Sequence, residues 1–226
     1  MKDLTIIYLT LNNLPDKWME YQQKVLLEAI GDTQIISISR IPMNLGINLI
    51  QTEKVCSSNV YWQLLRAAKL ATTEFIAVAE DDSLYNTEHY SFRPQKDEFA
   101  YNNSHWSLFT WGEPTYSWRN RKGNYTLVAP RLLVIESLEE RFTKYPNGTP
   151  EGKTGELGRS RTDRMLGLTQ HKVVEFSTTC PVINICHDNG LDDRARRHKK
   201  SFGTLRAYDI PYWGKAKELI KNYNNL

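Results

Sequence analysis

Three adjacent carboxylates, Glu80-Asp81-Asp82, follow directly on the apolar run Phe75-Ile76-Ala77-Val78-Ala79. Like charges this close repel one another, so the run is costly unless something cationic compensates it. A hard divalent ion does so well, because Mg2+ or Mn2+ takes oxygen ligands and bridges to phosphate oxygens. Alternate side chains leaving a strand face the same way, so Glu80 and Asp82 can meet one ion while Asp81 points elsewhere. The plainer reading is an acidic loop that ends a strand. A second charged run, Arg194-Ala195-Arg196-Arg197-His198-Lys199-Lys200, holds five permanent cations in seven residues. It suits phosphates, in nucleic acid or in a nucleoside diphosphate, or else a solvated surface segment. Between these runs aromatic and basic residues interleave, at Trp111, Tyr116, Trp118, Arg119, Arg121 and Lys122. The mixture fits a base stacked beside phosphates or a sugar ring lying on indole. Trp106 and Phe109 are assigned to the core.

The elements that must position these groups follow from hydrophobic periodicity. Leu4 to Thr10 reads as a strand apolar on both faces, the pattern of a parallel strand covered by helices on either side. A helix is predicted from about Pro15, with Trp18, Tyr21, Val25, Leu26 and Ala29 on one face and Gly31 at its end. Gln34 to Arg40 is a second strand, followed by an irregular stretch through Gly46. Ser57 or Ser58 caps a helix carrying Val60, Leu64, Leu65, Ala68 and Leu70. A third strand, Glu74 to Ala79, delivers the carboxylates. The βαβαβ opening predicts an α/β fold with a mixed, mostly parallel central sheet flanked by helices. It also puts the acidic run at the carboxyl end of a buried strand, where open sheets bind ligands. Beyond Tyr90 we expect strands at 106–111, 125–129, 173–176 and 182–186, and helices at 131–145, 156–166 and 212–223.

Composition narrows the class. With 226 residues, 40% hydrophobic and 24% charged, the chain is long enough for one sizeable domain and is not of disordered type. We therefore expect one domain, 1–226, with a ligand-binding half over about 1–90 and an acceptor-binding half over about 91–226. No stretch approaches the roughly 20 apolar residues that span a bilayer, and the first strand is too short for a signal-peptide core. Three cysteines, Cys56, Cys180 and Cys186, show no CxxC spacing. They predict buried thiols in a reducing compartment, hence a cytoplasmic protein without a membrane partner. The formal net charge of +3 says little about partners.

The first strand, the second ending at Arg40, the helix with Arg66 and the run Phe75 to Asp82 together resemble the GT-A glycosyltransferases. In that superfamily the acidic motif after a buried strand holds a divalent cation, which holds the diphosphate of a sugar nucleotide. The resemblance implies Mn2+ or Mg2+ as cofactor and a UDP-sugar as donor. Glu80 and Asp82 become metal ligands, and Asp81 is left to the donor and to catalysis. His187, at the end of a late apolar strand, matches the placement of a third metal ligand in the family, with Asp188 adjacent to partner its other nitrogen. Donor binding falls to Thr10, Leu11, Asn12, Arg40 and Arg66 near the first strands. Glu156, flanked by Gly155 and Gly158, resembles the acidic position that serves as base in inverting members, with Asp163 as a substitute. A retaining reaction needs no such base. The plainer reading of Glu156 is a carboxylate favoured by a helix N-terminus.

A more particular resemblance is to small phage-type transferases that glycosylate 5-hydroxymethylcytosine in DNA, encoded beside cytosine-oxidising dioxygenases. It rests on Phe109-Thr110-Trp111, on His187-Asp188-Asn189-Gly190 with Arg194-Ala195-Arg196-Arg197, and on Ala207 to Gly214. It implies modified double- or single-stranded DNA as a partner. Trp111, Tyr116, Trp118, Arg119, Arg194, Arg196 and Arg197 would bind that acceptor. Transferases acting on glycan, lipid or protein hydroxyls, or a non-enzymatic nucleic-acid binder using the basic run, are the alternatives. A nucleotidyltransferase would need a Gly- and Lys-rich loop after the first strand, which Leu11 to Pro15 does not supply.

Overall fold

The computed structural model describes residues 1–118, 120–150, 152–189, 203 and 205–223. The opening strands are β1 (Leu4–Leu9), β2 (Gln34–Ser39), β3 (Ile47–Ile50) and β4 (Phe75–Glu80), with helices α1 (Asp16–Ile30) and α2 (Ser57–Leu70) between them. Side chains alternate across a strand, and both faces here meet apolar partners. Leu4, Ile6 and Tyr8 of β1 join Phe75, Ala77 and Ala79 of β4 on the α1 side, against Trp18 and Leu26. Ile7, Ile76 and Val78 face the other way, against Leu64, Leu65 and Ala68 of α2. This is why the first strands read as continuous apolar runs.

The later strands are β5 (Ser83–Leu84), β6 (Glu98–Asn102), β7 (His105–Phe109), β8 (Tyr116–Trp118), β9 (Leu127–Pro130), β10 (Lys172–Phe176), β11 (Val182–Cys186) and β12 (Leu205–Ala207). The central sheet has seven strands in the order β10-β6-β9-β4-β1-β2-β3. Its pairs are parallel except where β9 lies antiparallel to β4 and β6. This is the mixed, mostly parallel sheet the periodicity predicts. From β1 the chain moves outward to β2 and β3, then crosses back through α2 to β4 on the other side of β1. The strand order therefore reverses between β1 and β4, and their carboxyl ends open a crevice. A five-stranded sheet, β12-β8-β7-β11-β5, stands beside the first. Leu108, Tyr116, Val182 and Ile183 of that sheet share one apolar cluster with β1 and α1.

Helix α3 (Arg131–Lys144) packs with α2, where the Trp62 and Phe142 rings stack with centroids 3.5 Å apart. Helix α4 (Ser160–Leu166) starts later than the predicted 156, because Gly158 breaks the turn before it. Gly158 has φ +73°, and an added Cβ would come within 2.5 Å of Val173 and 2.9 Å of Phe99. The predicted helix over 212–223 forms only in its second part, as one α-helical turn at Ala216–Leu219 running into a 3-10 turn at Ile220–Asn222. Tyr212 and Gly214 both take positive φ and close a hairpin of β13 (Asp209–Ile210) on β14 (Gly214–Lys215), so helix begins only at Ala216. The irregular stretch after Pro42 contains edge strand β3. Gly46, at φ +63°, approaches Ile35 so closely that a Cβ would lie 2.3 Å from its carbonyl oxygen; the glycine serves backbone packing. All three cysteines are free thiols, but none is fully buried as predicted: Cys56 is exposed, and Cys180 and Cys186 are half-buried. Among the described residues no helix is long and apolar enough to cross a membrane.

Two buried histidines give the fold an acid-sensitive side. Burial pulls His89 down to about 3 and His105 down to about 4. Between those values and an unfolded pKa near 6.5 the unfolded chain binds more protons, so stability falls as pH drops through that window. Each should contribute a loss of about 2 kcal/mol between pH 7 and pH 5. Urea titrations should show His89→Gln removing about half of that slope. An unchanged slope would mean that His89 charges in the native protein.

Candidate active site

Strand β4 ends by carrying Glu80, Asp81 and Asp82 into the crevice, and their backbone is held from three directions. The Trp18 indole donates to Asp81 O at 2.8 Å, and Gln22 Nε2 donates to Ser83 O at 2.9 Å. Gln22 is buried, and its Oε1 accepts the Tyr8 hydroxyl at 2.9 Å. Tyr85 OH accepts from Glu80 N at 3.0 Å, and Ile185 N of β11 donates to Asp82 O at 2.7 Å. Each such bond contributes only about 1 kcal/mol net, but breaking one inside the protein strands a polar group at greater cost. Charge repulsion therefore cannot spring the turn open.

The cluster is electrostatically unsatisfied. Burial, then the neighbouring Asp82 and Asp81, hold the Glu80 carboxyl well above the usual carboxylate range. Burial and Asp82 push Asp81 up to about 7, against the Thr10 hydroxyl that donates to it at 2.5 Å. Asp82 is raised by burial and partly restrained by His187, Ser83 and Asn184. His187 Nε2 lies 3.8 Å from Asp82 Oδ2, with 6% and 20% of the two side chains exposed. Ser83 Oγ donates to the other carboxylate oxygen at 2.9 Å.

A cavity of about 310 Å3 opens over this turn, and all three carboxylates and His187 line it. One wall comes from the ends of β1 and β3 and the first turns of α2, with Thr10, Leu11, Gln51, Asn59 and Gln63. The facing wall comes from the second sheet and its loops, with Phe109, Trp111, Arg121, Tyr125 and Asn184. The size and mixed lining suit a nucleoside-sized ligand. Arg121 is set in a ring of contacts. His105 Nε2 lies 2.6 Å from Arg121 O, the Tyr125 hydroxyl lies 2.9 Å from His105 Nδ1, and the Arg121 guanidinium returns to Tyr125. The low pKa keeps His105 neutral, so Nε2 donates to the carbonyl and Nδ1 accepts from tyrosine.

The donor set fits a divalent ion in part. Glu80 and Asp82 present carboxylate oxygens to one cavity, and a cation there would relieve their mutual repulsion. Among the described residues no three His, Cys, Asp or Glu side chains already form a cage, so phosphate or water oxygens would complete the coordination. His187 lines the same cavity beside Asp82. Its Nδ1 accepts from Asn189 N at 3.2 Å. In the neutral ring this puts the proton on Nε2, facing Asp82, so ligation through Nε2 requires the Asn189 contact to open.

The structure brings Thr10, Leu11 and the three carboxylates together, as the sequence predicts, and separates other candidates from them. Asn12, at φ +54°, does not line the cavity; its Oδ1 accepts from Arg40 N at 2.7 Å and Ile41 N at 3.2 Å, stapling the loop after β1 to that after β2. The Arg40 guanidinium turns outward to Glu53 O. Arg66 reaches the cavity only through Gln63. Glu156 stands outside the lining, paired with Arg159 at 3.0 Å, although its charge is felt at Glu80 and Arg121. Its loop is pinned by Arg141 Nη1 donating to Gly155 O at 3.2 Å and Tyr101 OH to Leu157 O at 2.8 Å. Asp163 is buried against Arg141, away from the cavity. Trp111 lines the cavity, and so does Phe109. Tyr116 is wholly buried in the core, and the Trp118 indole donates to Asn103 O at 3.1 Å. Arg119, Arg194, Arg196 and Arg197 lie outside the described residues. Sequence reading missed Gln22, Gln51, Asn59 and Gln63. The usable signal was Asn59 and Gln63, two amides four residues apart on one helix.

No family model matches the sequence, and no curated protein matches it. Among solved structures the chain is similar to TarS 1-349 of S. aureus in complex with UDP-GlcNAc, at 13% identity and a TM-score of 0.48, covering 84% of this chain and 60% of that one. It is similar to the glycosyltransferase GlyE of Streptococcus pneumoniae TIGR4, at 11% and 0.48, over 77% and 45% of the two chains. It is also similar to the mannosyltransferase PcManGT of Pyrobaculum calidifontis in complex with GDP-Man and Mn2+, at 11% and 0.44, over 81% and 56%. The chain thus spans about half to three-fifths of the length of these proteins. Similarity at this level carries nothing about function.

Proposed function

We propose that the chain is a metal-dependent glycosyltransferase of GT-A type, moving a sugar from a UDP-sugar to a hydroxyl. The observation that carries the reading is the convergence of Glu80, Asp81 and Asp82 on one cavity at the strand-order reversal, held there by buried hydrogen bonds. Glu80 and Asp82 would hold Mn2+ or Mg2+, and the ion, when bound, neutralises charge on the departing diphosphate. Thr10 and Leu11 border the nucleotide, and Asp81 is restrained by the Thr10 hydroxyl. In the inverting form of the reaction the acceptor oxygen attacks the anomeric carbon as the bond from that carbon to the β-phosphate oxygen breaks. The proton passes to Glu156 and the nucleoside diphosphate leaves. That role requires Glu156 to turn from Arg159 toward Glu80 and Arg121.

The acceptor to test first is 5-hydroxymethylcytosine in DNA, as the sequence resemblance implies. Trp111 brings an indole and Arg121 a cation to the cavity wall. The protein is incubated with Mn2+, each of several UDP-sugars and duplex DNA carrying the modified base, and the digested nucleosides are weighed. A hexose mass added to the modified nucleoside is the expected result. Nucleosides unchanged with every donor, alongside donor turnover, would shift the acceptor to a glycan, lipid or protein hydroxyl. No turnover and no UDP binding would remove the transferase reading itself.

A further inference from the structure

Four side chains beside the cavity form a hydrogen-bonded relay whose direction is set at both ends. Arg66 Nη1 donates to Gln63 Oε1 at 2.9 Å, Gln63 Nε2 to Asn59 Oδ1 at 2.7 Å, and Asn59 Nδ2 to Gln51 Oε1 at 2.8 Å. Gln51 Nε2 then donates to the backbone carbonyl of Thr10 at 3.2 Å. An amide alone can flip, exchanging donor for acceptor. Here the guanidinium can only donate and the carbonyl can only accept, so all three amides are locked in one orientation. Gln51, Asn59 and Gln63 are buried.

The lock decides what the wall offers a ligand. Gln63 uses its second amide hydrogen on Glu53 Oε2 at 3.3 Å. Gln51 and Asn59 each keep one amide hydrogen that no acceptor among the described residues takes, and both line the cavity. A buried N–H left unpaired is far less tolerated than a carbonyl with a spare lone pair. The same stretch of wall includes Leu9, Leu11, Val55 and Val60, apolar faces against which a flat ring can lie.

We infer that this relay selects the nucleobase of the donor, favouring a base with a carbonyl acceptor edge, as in uracil, over one presenting an amino group, as in cytosine. Arg66 is a positioning residue that, together with the Thr10 carbonyl, enforces the choice without touching the ligand. The inference rests on the nucleotide-sugar reading of the cavity and deepens it. An amino group set against Gln51 and Asn59 would place donor against donor, a mismatch that lowers affinity by about tenfold or more.

The test compares dissociation constants for UDP and CDP, which differ at that edge alone, by titration calorimetry with Mn2+ present. The wild-type protein should bind UDP at least about tenfold more tightly than CDP. Arg66→Met leaves only the Thr10 carbonyl to orient the amides, so the flipped arrangement costs less and the ratio should fall severalfold. Arg66→Lys, which still donates, should keep most of it. Gln63→Leu interrupts the relay while leaving Arg66 on Glu53, and should also lower the preference severalfold; it covers the case in which Arg66→Met unfolds. Equal affinity of the wild type for UDP and CDP, or an undiminished ratio in both relay-breaking variants, overturns the inference and leaves the transferase proposal standing. Failure to bind either nucleotide overturns both.

Discussion

Asp82→Asn is expected to lower sugar transfer by at least about a thousandfold while raising the melting temperature of the metal-free protein. The two effects share one cause. Asp82 sits in a buried cluster with Glu80 and Asp81, where burial and mutual repulsion hold the carboxyls above their usual range. Asparagine keeps an acceptor for the Ser83 hydroxyl but removes a charge, so the folded state is relieved. A gain of about 1 kcal/mol corresponds to about 2–4 °C for a chain of this size. Functional sites often hold such destabilising groups, and their removal commonly trades activity for stability. Added Mn2+ and UDP should raise the melting temperature of the wild type and leave the variant where it was. Transfer within tenfold of wild type, or a melting temperature that falls, would show that Asp82 does not serve an ion. His187→Ala, by contrast, should weaken Mn2+ by about ten- to hundredfold, the effect of losing a group that orients a ligand. Loss as complete as that of Asp82→Asn would instead make His187 a direct ligand.

The second large effect concerns stability. Arg141→Ala should destabilise the protein by about 3–5 kcal/mol, measured by urea unfolding. Arg141 and Asp163 are 2% and 4% exposed, with nitrogen and oxygen 3.7 Å apart. The guanidinium also lies over the Tyr61 ring at 4.6 Å and donates to Gly155 O. Removing it leaves Asp163, already raised by burial, without the charge that pulls it back. The pair itself is imperfect, since Arg141 Nε and Asp163 Oδ2 have no hydrogen-bond partner among the described residues. Replacing both as Arg141→Met with Asp163→Leu should therefore stay within about 2 kcal/mol of wild type. If the double variant is as unstable as the single one, the cost lies in lost packing on Tyr61 rather than in a stranded charge. The double variant also frees Gly155 O, beside Glu156. A fall in turnover without a fall in stability would place Glu156 in the chemistry.

The parts of the fold legible in the sequence are those fixed by local periodicity. Strands β1 and β4 are apolar on both faces because each face meets its own core, and that doubling is visible in Leu4 to Leu9 and Phe75 to Ala79 alone. The place of the carboxylates follows, since the chain must leave the sheet where the apolar run stops. What was illegible depends on partners far along the chain. Gln22 reads as an unremarked polar position on α1, yet it secures a turn 61 residues away. Arg66 reads as a residue that could touch a ligand, yet Gln63 stands between it and the cavity. Tyr116 carries the same aromatic character as Trp111, but the pairing of β8 with β7 turns it into the core while Trp111 borders the cavity. The hairpin near Tyr212 hides because apolar residues with helical spacing continue past it, and two positive φ angles outweigh them.

The bond from Ile185 N to Asp82 O joins the floor of the cavity to the sheet that forms its far wall. The two sides of the cleft are therefore not separate jaws on a hinge. They are anchored to a common seam, and the gap between them varies only as far as the sheets bend. A ligand arriving there meets a width already set, so little of its interaction energy is diverted into closing the protein around it. The same rigidity makes the cleft intolerant of bulk: a ligand with a larger substituent must find its room at the open rim, because the seam will not give.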